Sequence, residues 1–272
     1  MKTTRLYLAR PIVGIAERFK NLTKTVNVPS AKEIQKMRLT KVTVTGADDS
    51  VDPKELVDVQ ERYPFAEFGI LVSNGSEGAF RFPSKGWMKH LEQVTKEHPL
   101  NLSCHLCGKW VRDLCKGEWS FIKDRPDWIH MFKRLQLNFH ALTHTIVPDK
   151  FQEALKLFPN MEYIFQFDDI NNSVISNGEA AGVSASPLFD ISGGAGTLPE
   201  KWPKPLPGIV CGYAGGLSPE NLYEQLFKIE TTVAYTCDIW IDAETHLRSN
   251  NDRQFDIGKV LRFLEVAKPY AY

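Results

Sequence analysis

Two glycine-rich turns, each fed by a short apolar run, hold the residues whose types best suit chemistry. The first reads Leu188-Phe189-Asp190-Ile191-Ser192-Gly193-Gly194-Ala195-Gly196-Thr197. The second, beyond a Pro-rich connection, reads Ile209-Val210-Cys211-Gly212-Tyr213-Ala214-Gly215-Gly216-Leu217-Ser218-Pro219-Glu220-Asn221. Glycine lets a backbone come close to a ligand and turns successive N–H groups toward an anion. Gly193, Gly194, Gly196, Gly215 and Gly216 are therefore candidate phosphate-binding residues. Asp190, at the end of the first run, is the candidate acid. Its plainer reading is a cap for the turn that Gly193 and Gly194 make.

Other residues carry weaker signals. Gln136 and Asn138 alternate with apolar residues, so they could meet a ligand or be hydrogen-bonded amides of a core. His105 could serve as an acid/base group at a strand end. Cys104-His105-Leu106-Cys107 could offer two metal ligands, with His140 and His144 further on. The 32 residues between Cys107 and His140 are outside finger spacing, and Cys104 falls within a strand. A buried thiol beside a loop thiol is the expectation, with no metal and no cofactor. Asp168 and Asp169 could touch substrate or cap the segment after them. Asp242 could be catalytic or hydrogen-bonded internally.

Eight short β-rich runs must position these groups: Thr40–Thr45, Phe68–Ser73, Leu100–Cys104, Leu135–Phe139, Tyr163–Phe167, Pro187–Ile191, Gly208–Gly212 and Cys237–Ile241. Several are nearly all apolar, as parallel strands buried on both faces are. Helical patterns lie between them. Asp52-Pro53, Ser84, Asp149, Ser218-Pro219-Glu220 and Asp256 read as helix starts, each followed by an apolar stripe. Strand and helix alternating eight times is the pattern of an α/β (β/α)8 TIM barrel, and two glycine turns on consecutive strands fit its phosphate corner. A doubly wound sheet is the rival fold, but it would separate the two turns.

Composition narrows the function. With 272 residues, 43% hydrophobic, the chain can bury a large core. No apolar run reaches the roughly 18 residues of a membrane span, so no membrane partner is expected. Lys/Arg and Asp/Glu balance at 33 each, but residues 1–41 hold ten basic residues against Glu17 and Glu33. The remainder, with 23 basic and 31 acidic residues, is net acidic, which argues against nucleic acid as the main partner. Residues 1–38 are read as a basic N-terminal extension and 39–272 as the barrel. The extension suits a solvated arm or extra helix better than a targeting segment of mitochondrial type. Five scattered cysteines suggest reduced thiols in a cytoplasmic compartment. Oligomeric state has no signature in the sequence.

From about Val42 to the C-terminus the chain resembles the phosphoribosylanthranilate isomerase family of TIM barrels. The family's Asp-x-x-Gly-Gly-x-Gly-Thr is matched by Asp190 to Thr197, and its Ala-Gly-Gly-Leu-x-Pro-Glu-Asn by Ala214 to Asn221. Its strand-four Val-Gln-Leu-His is matched by Leu135-Gln136-Leu137-Asn138, and its Pro-Arg-Tyr/Phe-Val by Arg81-Phe82-Pro83. The resemblance implies an Amadori-type isomerisation of a phosphorylated aminosugar, with Asp190 as general acid. It also implies phosphate at the glycine turns and Arg81 near the substrate's aromatic or carboxylate end.

Two departures stand out. Thr45 occupies the position of the family's basic cysteine, and a hydroxyl is too weak a base. The base is then open among Asp48, His105 and Glu244. Glu244 also stands in the strand-eight segment whose backbone holds phosphate in the family, where like charge repels unless Arg248 or His246 compensates. The expected function is a divergent isomerase-like enzyme acting on a phosphorylated small molecule. The alternative is a binding barrel that has lost the base.

Overall fold

A computed structural model describes residues 37–138, 146–167, 174–190, 195–233 and 238–271. Eight parallel strands close into one barrel in chain order, β1-β2-β3-β4-β5-β6-β7-β8, with β8 pairing back to β1. They are β1 (Arg38–Thr45), β2 (Ala66–Ser73), β3 (Leu102–Cys107), β4 (Arg134–Leu137), β5 (Glu162–Gln166), β6 (Ala185–Phe189), β7 (Cys211–Ala214) and β8 (Asp238–Ala243). The fold expectation holds: the chain forms a (β/α)8 barrel.

The helices are α1 (Pro53–Arg62), α2 (Lys85–Glu97), α3 (Lys109–Leu114), α4 (Ser120–Asp124), α5 (Pro148–Leu155), α6 (Val174–Ala181), α7 (Leu222–Thr232) and α8 (Ile257–Ala267). Local chemistry sets the starts of several. Asp52 and Glu55 form a capping box around Pro53, which lacks an N–H to satisfy. Ser84 accepts from the Trp87 N–H at 3.2 Å, and Asp256 from the Lys259 N–H at 3.0 Å.

Several boundaries shift from the sequence reading, among them β3, which runs Leu102–Cys107, and β6, which runs Ala185–Phe189; two further shifts have a clear local cause. Helix α7 begins at Leu222, because Ser218 and Asn221 tie the preceding residues into a turn through 2.9 and 3.2 Å bonds. Strand β7 begins at Cys211 rather than Gly208. Gly208 has φ 76° and turns the chain first.

Side chains alternate across each strand. The outward set, with Val44, Phe68, Ile70, Leu106, Leu137, Phe165 and Ile241, packs against the helices in the main core. The inward set is unusual for a barrel, where bulky branched residues normally fill the axis. Here Ile164, Leu188, Ala214 and Trp240 form only a small apolar cluster. Beside it, Glu67 accepts from Thr43 Oγ1 at 2.9 Å and from Arg134 at 2.6 Å, all of them buried. A buried pair of this kind is tolerated only when each member keeps its partner.

Candidate functional site

The inward residues at the C-terminal ends of the strands converge on a cavity of about 60 Å³. Asp190 reaches it from the end of β6, Asp242 from β8, and Glu244 from just beyond β8. Gln136 and Asn138 enter from β4 and Gln166 from β5. Catalytic groups of barrel enzymes sit at this end of the scaffold.

The Asp242 carboxyl is strongly perturbed. Burial pushes it up from 3.8 to about 8, and the negative charges of Glu244, Asp190 and Glu67 push the same way. Thr45 Oγ1 donates to Asp242 Oδ1 at 2.7 Å, which opposes the rise. The balance leaves Asp242 protonated at neutral pH, an acid with a hydroxyl fixing its orientation. Thr45 is thus engaged as a hydrogen-bond donor to this carboxyl.

Asp190 is half-buried at the mouth, where Gln166 Nε2 donates to its Oδ2 at 3.4 Å. Gln136 Nε2 donates to Asn138 Oδ1 at 3.1 Å, and Asn138 Nδ2 contacts Cys107 Sγ at 3.0 Å. These amides share one face of β4 because residues two apart point the same way.

Glu244 does not stand uncompensated. Its Oε1 meets Arg81 Nη1 at 2.5 Å. Burial raises the Glu244 carboxyl, and Arg81 opposes that rise. Arg81 takes φ 73°, a left-handed backbone uncommon outside glycine. Its N–H donates to Asp48 Oδ2 at 2.9 Å, and its Nε also pairs with Asp252. Buried Arg248 completes this network, meeting Asp48 at 2.7 Å and Asp252 at 2.9 Å and donating to the Gly46 carbonyl. Asp48 also accepts from the Ser50 N–H at 3.0 Å and lies outside the cavity lining.

His105 lies below the site, inside the barrel. Burial, with the Arg134 charge behind it, lowers its pKa from 6.5 to about 3, so the imidazole stays neutral. Gly69 makes room for it. A Cβ there would lie 2.1 Å from Thr45 Oγ1 and 2.9 Å from the His105 ring.

Cys104 and Cys107 both lie within β3, so Cys107 is not a loop thiol. Three residues apart on a strand, they face opposite sides and make no two-pronged ligand pair. Cys104 joins the outer core, while burial pushes the inward Cys107 up to about 12. His140, His144, Asp168 and Asp169 lie outside the described residues.

The glycine turns meet at one corner. A Cβ on Gly216 would fall 2.4 Å from the Leu198 nitrogen, so the loops after β6 and β7 touch through backbone. On Gly196 it would fall 3.0 Å from Thr245 Oγ1, and His246 Nε2 lies 3.0 Å from the Gly196 carbonyl oxygen. Gly196, Gly215 and Gly216 have φ of 67°, 109° and 67° and line the cavity together. Gly193 and Gly194 lie outside the described residues.

Asp190, Glu244, Gln136, Asn138, Gly196, Gly215 and Gly216 thus share one cavity, while Asp48, Arg81 and His105 lie behind or below its lining. Gln166 was not anticipated, and Asp242 both lines the cavity and is hydrogen-bonded internally by Thr45. The alternation of Trp240, Asp242 and Glu244 was the signal for the latter.

No family model and no curated protein matches this sequence. Solved structures do. A truncated 3-deoxy-D-arabino-heptulosonate 7-phosphate synthase from Thermotoga maritima aligns with a TM-score of 0.50 at 9% identity, over 85% of this chain and 86% of that one. The phosphoribosylanthranilate isomerase of Thermotoga maritima aligns at 0.40 and 12%, over 85% and 100%. KGPDC from Streptococcus mutans, in complex with D-R5P, aligns at 0.46 and 13%, over 85% and 99%. What these likenesses share is the barrel. Among the described residues, no helix is long and apolar enough to cross a membrane.

Proposed function

We propose that this barrel is an acid/base enzyme that isomerises a phosphorylated, sugar-like small molecule. The observation that carries the reading is the pairing of Asp242 and Asp190 in one cavity beside a glycine corner, with Asp242 held protonated near neutral pH. Environments that set two carboxyls apart supply acid and base roles. Asp242 donates its proton to a substrate oxygen while Asp190 removes a proton from the adjacent carbon. Asp190 then delivers its proton to the former carbonyl carbon while Asp242 takes one back from the neighbouring hydroxyl, whose oxygen becomes the new carbonyl, and the isomerisation is complete. This reverses the role that the family resemblance implies for Asp190.

The remaining residues fit the same substrate. Gln136, Asn138 and Gln166 offer donors and acceptors to hydroxyl groups. Gly196, Gly215 and Gly216 bring backbone close to a phosphate without side chains between. Arg81 keeps Glu244 from repelling that anion. The solved relatives named for phosphorylated compounds support the substrate class by analogy of fold alone.

The test combines binding and turnover. Ribose 5-phosphate should raise the melting temperature, inorganic phosphate should do so less, and Gly215→Asp should remove both effects. In D₂O, a substrate should lose the NMR signal of the proton next to its carbonyl, and Asp190→Asn and Asp242→Asn should stop that exchange. Binding without exchange by any phosphorylated aldose or aminosugar would favour the binding barrel. No thermal response to any of them would defeat the phosphate reading.

A further inference from the structure

The opposite end of the barrel holds a second cavity, of about 450 Å³, that the proposed activity does not use. Its lining includes Lys41, Arg134, Glu162, Ser186, Val210 and Trp240. At the N-terminal ends of barrel strands, side chains ordinarily serve stability. Two observations set this end apart.

The first is a pair of buried donors without acceptors. Arg134 is 2% exposed; its Nη1 meets Glu67 at 2.6 Å and its Nη2 meets Glu162 at 3.2 Å. Arg134 Nε has no partner among the described residues, and neither has Trp240 Nε1, on a side chain 1% exposed. Arg134 Cζ stacks 4.2 Å from the centre of the Trp240 ring, so the two groups are neighbours. Unpartnered donors on deeply buried side chains are rare in folded proteins, and two on the wall of one cavity need a common explanation.

The second is the charge at the mouth. Lys41 makes no ion pair among the described residues, while Glu162 is already engaged by Arg134 and by Ser186 Oγ at 3.0 Å. The cavity wall therefore carries an ammonium and two buried side chains that each hold an unpartnered N–H. Val210, 39% exposed, adds apolar surface beside them.

We propose that the N-terminal mouth of the barrel is a second ligand site, which binds a monocarboxylate with an apolar body. Two carboxylate oxygens can accept from the Arg134, Trp240 and Lys41 donors through charge-assisted bonds. A dianion would add a further negative charge beside Glu162 and Glu67, and a neutral amide would leave Lys41 without a counter-charge. The apolar body lies against Val210 and the indole.

Trp240 provides the readout. In a ¹⁵N NMR spectrum of the full chain, the indole signal missing from Trp240→Phe identifies this residue among the six tryptophans. Benzoate should move that signal saturably, with benzamide and inorganic phosphate as neutral and dianionic controls. Lys41→Met should weaken benzoate binding about tenfold by this signal; Trp240→Phe, which keeps an aromatic ring but removes the donor and the signal, should do so by equilibrium dialysis. Lys41→Met should leave the response to ribose 5-phosphate unchanged, which separates this site from the one at the other end. The proposal fails if the signal stays still in benzoate up to about 10 mM. It also fails if benzamide moves it equally, or if its only contact is exchange with buried water.

Discussion

Thr45 on β1 and Asp242 on β8 are joined by a 2.7 Å hydrogen bond where the last strand closes on the first. The bond fixes a carboxyl whose burial raises its pKa from 3.8 to about 8. Between those values the folded protein keeps a proton that the unfolded chain has released. Stability from this group is therefore full below about pH 4 and is lost as pH rises toward 8, at about 1.4 kcal/mol per pH unit where the slope is steepest. Asn in place of Asp242 keeps an acceptor for Thr45 and carries no charge. Urea unfolding should show Asp242→Asn gaining on the wild type by a few kcal/mol between pH 5 and pH 8. A constant difference across that range would show that Asp242 is ionised throughout.

His105 works in the opposite sense. Its folded pKa of about 3 lies below the ordinary 6.5, because burial and Arg134 disfavour the imidazolium. Between those values the unfolded chain binds a proton that the folded protein refuses, so stability from this group is present above pH 6.5 and is lost as pH falls toward 3. His105→Gln should therefore flatten the acid side of the stability curve and leave the neutral side in place. The His105 ring signals should also stay fixed in an NMR titration from pH 8 to 5. Ring signals that move with a midpoint near 6.5 would show a hydrated, chargeable imidazole.

The barrel was legible because strands buried on both faces write themselves as apolar runs. The first strand was read within two residues of its position, and so was the fifth. The placement of Asp190, Gln136 and Asn138 around one cavity was legible because each needs only its own strand to reach the C-terminal end. The Thr45–Asp242 bond was not, since the partners are 197 residues apart and only closure of the barrel joins them. The charged axis was hidden for the same reason: Glu67 on β2 and Arg134 on β4 meet inside the barrel with β3 between their strands, and each alone reads as a surface charge. The shift of β7 has a different origin. Ile209-Val210 looks like a strand, but Gly208 turns the chain, and it is Cys211–Ala214 that pair with β8.

The network behind the rim gives a third prediction. Arg248 is fully buried, and Asp48 nearly so, with their charges 2.7 Å apart. Removing one charge leaves the other uncompensated, which typically costs about 3–5 kcal/mol. Arg248→Met should be destabilised by that order, and Asp48→Asn by less, because the Ser50 and Arg81 N–H groups still find an acceptor. The double variant should be more stable than the sum of the two losses by about 0.5–3 kcal/mol. Simple additivity in urea unfolding would mean that the pair is solvated and makes no coupled contribution.

Gly69 tests how tightly the floor of the site is packed. It faces inward between Thr45 and His105, and its φ lies outside the left-handed region, so space is what demands glycine here. An alanine methyl would overlap Thr45 Oγ1 at 2.1 Å and crowd the His105 ring at 2.9 Å. Overpacking in an interior costs typically about 1–3 kcal/mol. It would also push the Thr45 hydroxyl away from Asp242, releasing the bond that restrains the rise in that carboxyl's pKa. Gly69→Ala should therefore lower stability and move the Asp242 titration upward together. Adding Thr45→Ala should recover part of the stability, since the closer clash is gone, but should leave the titration high, since the donor is gone too. If Gly69→Ala instead shifts neither property, the interior can open around a methyl group, and the Thr45–Asp242 geometry is looser than its 2.7 Å separation implies.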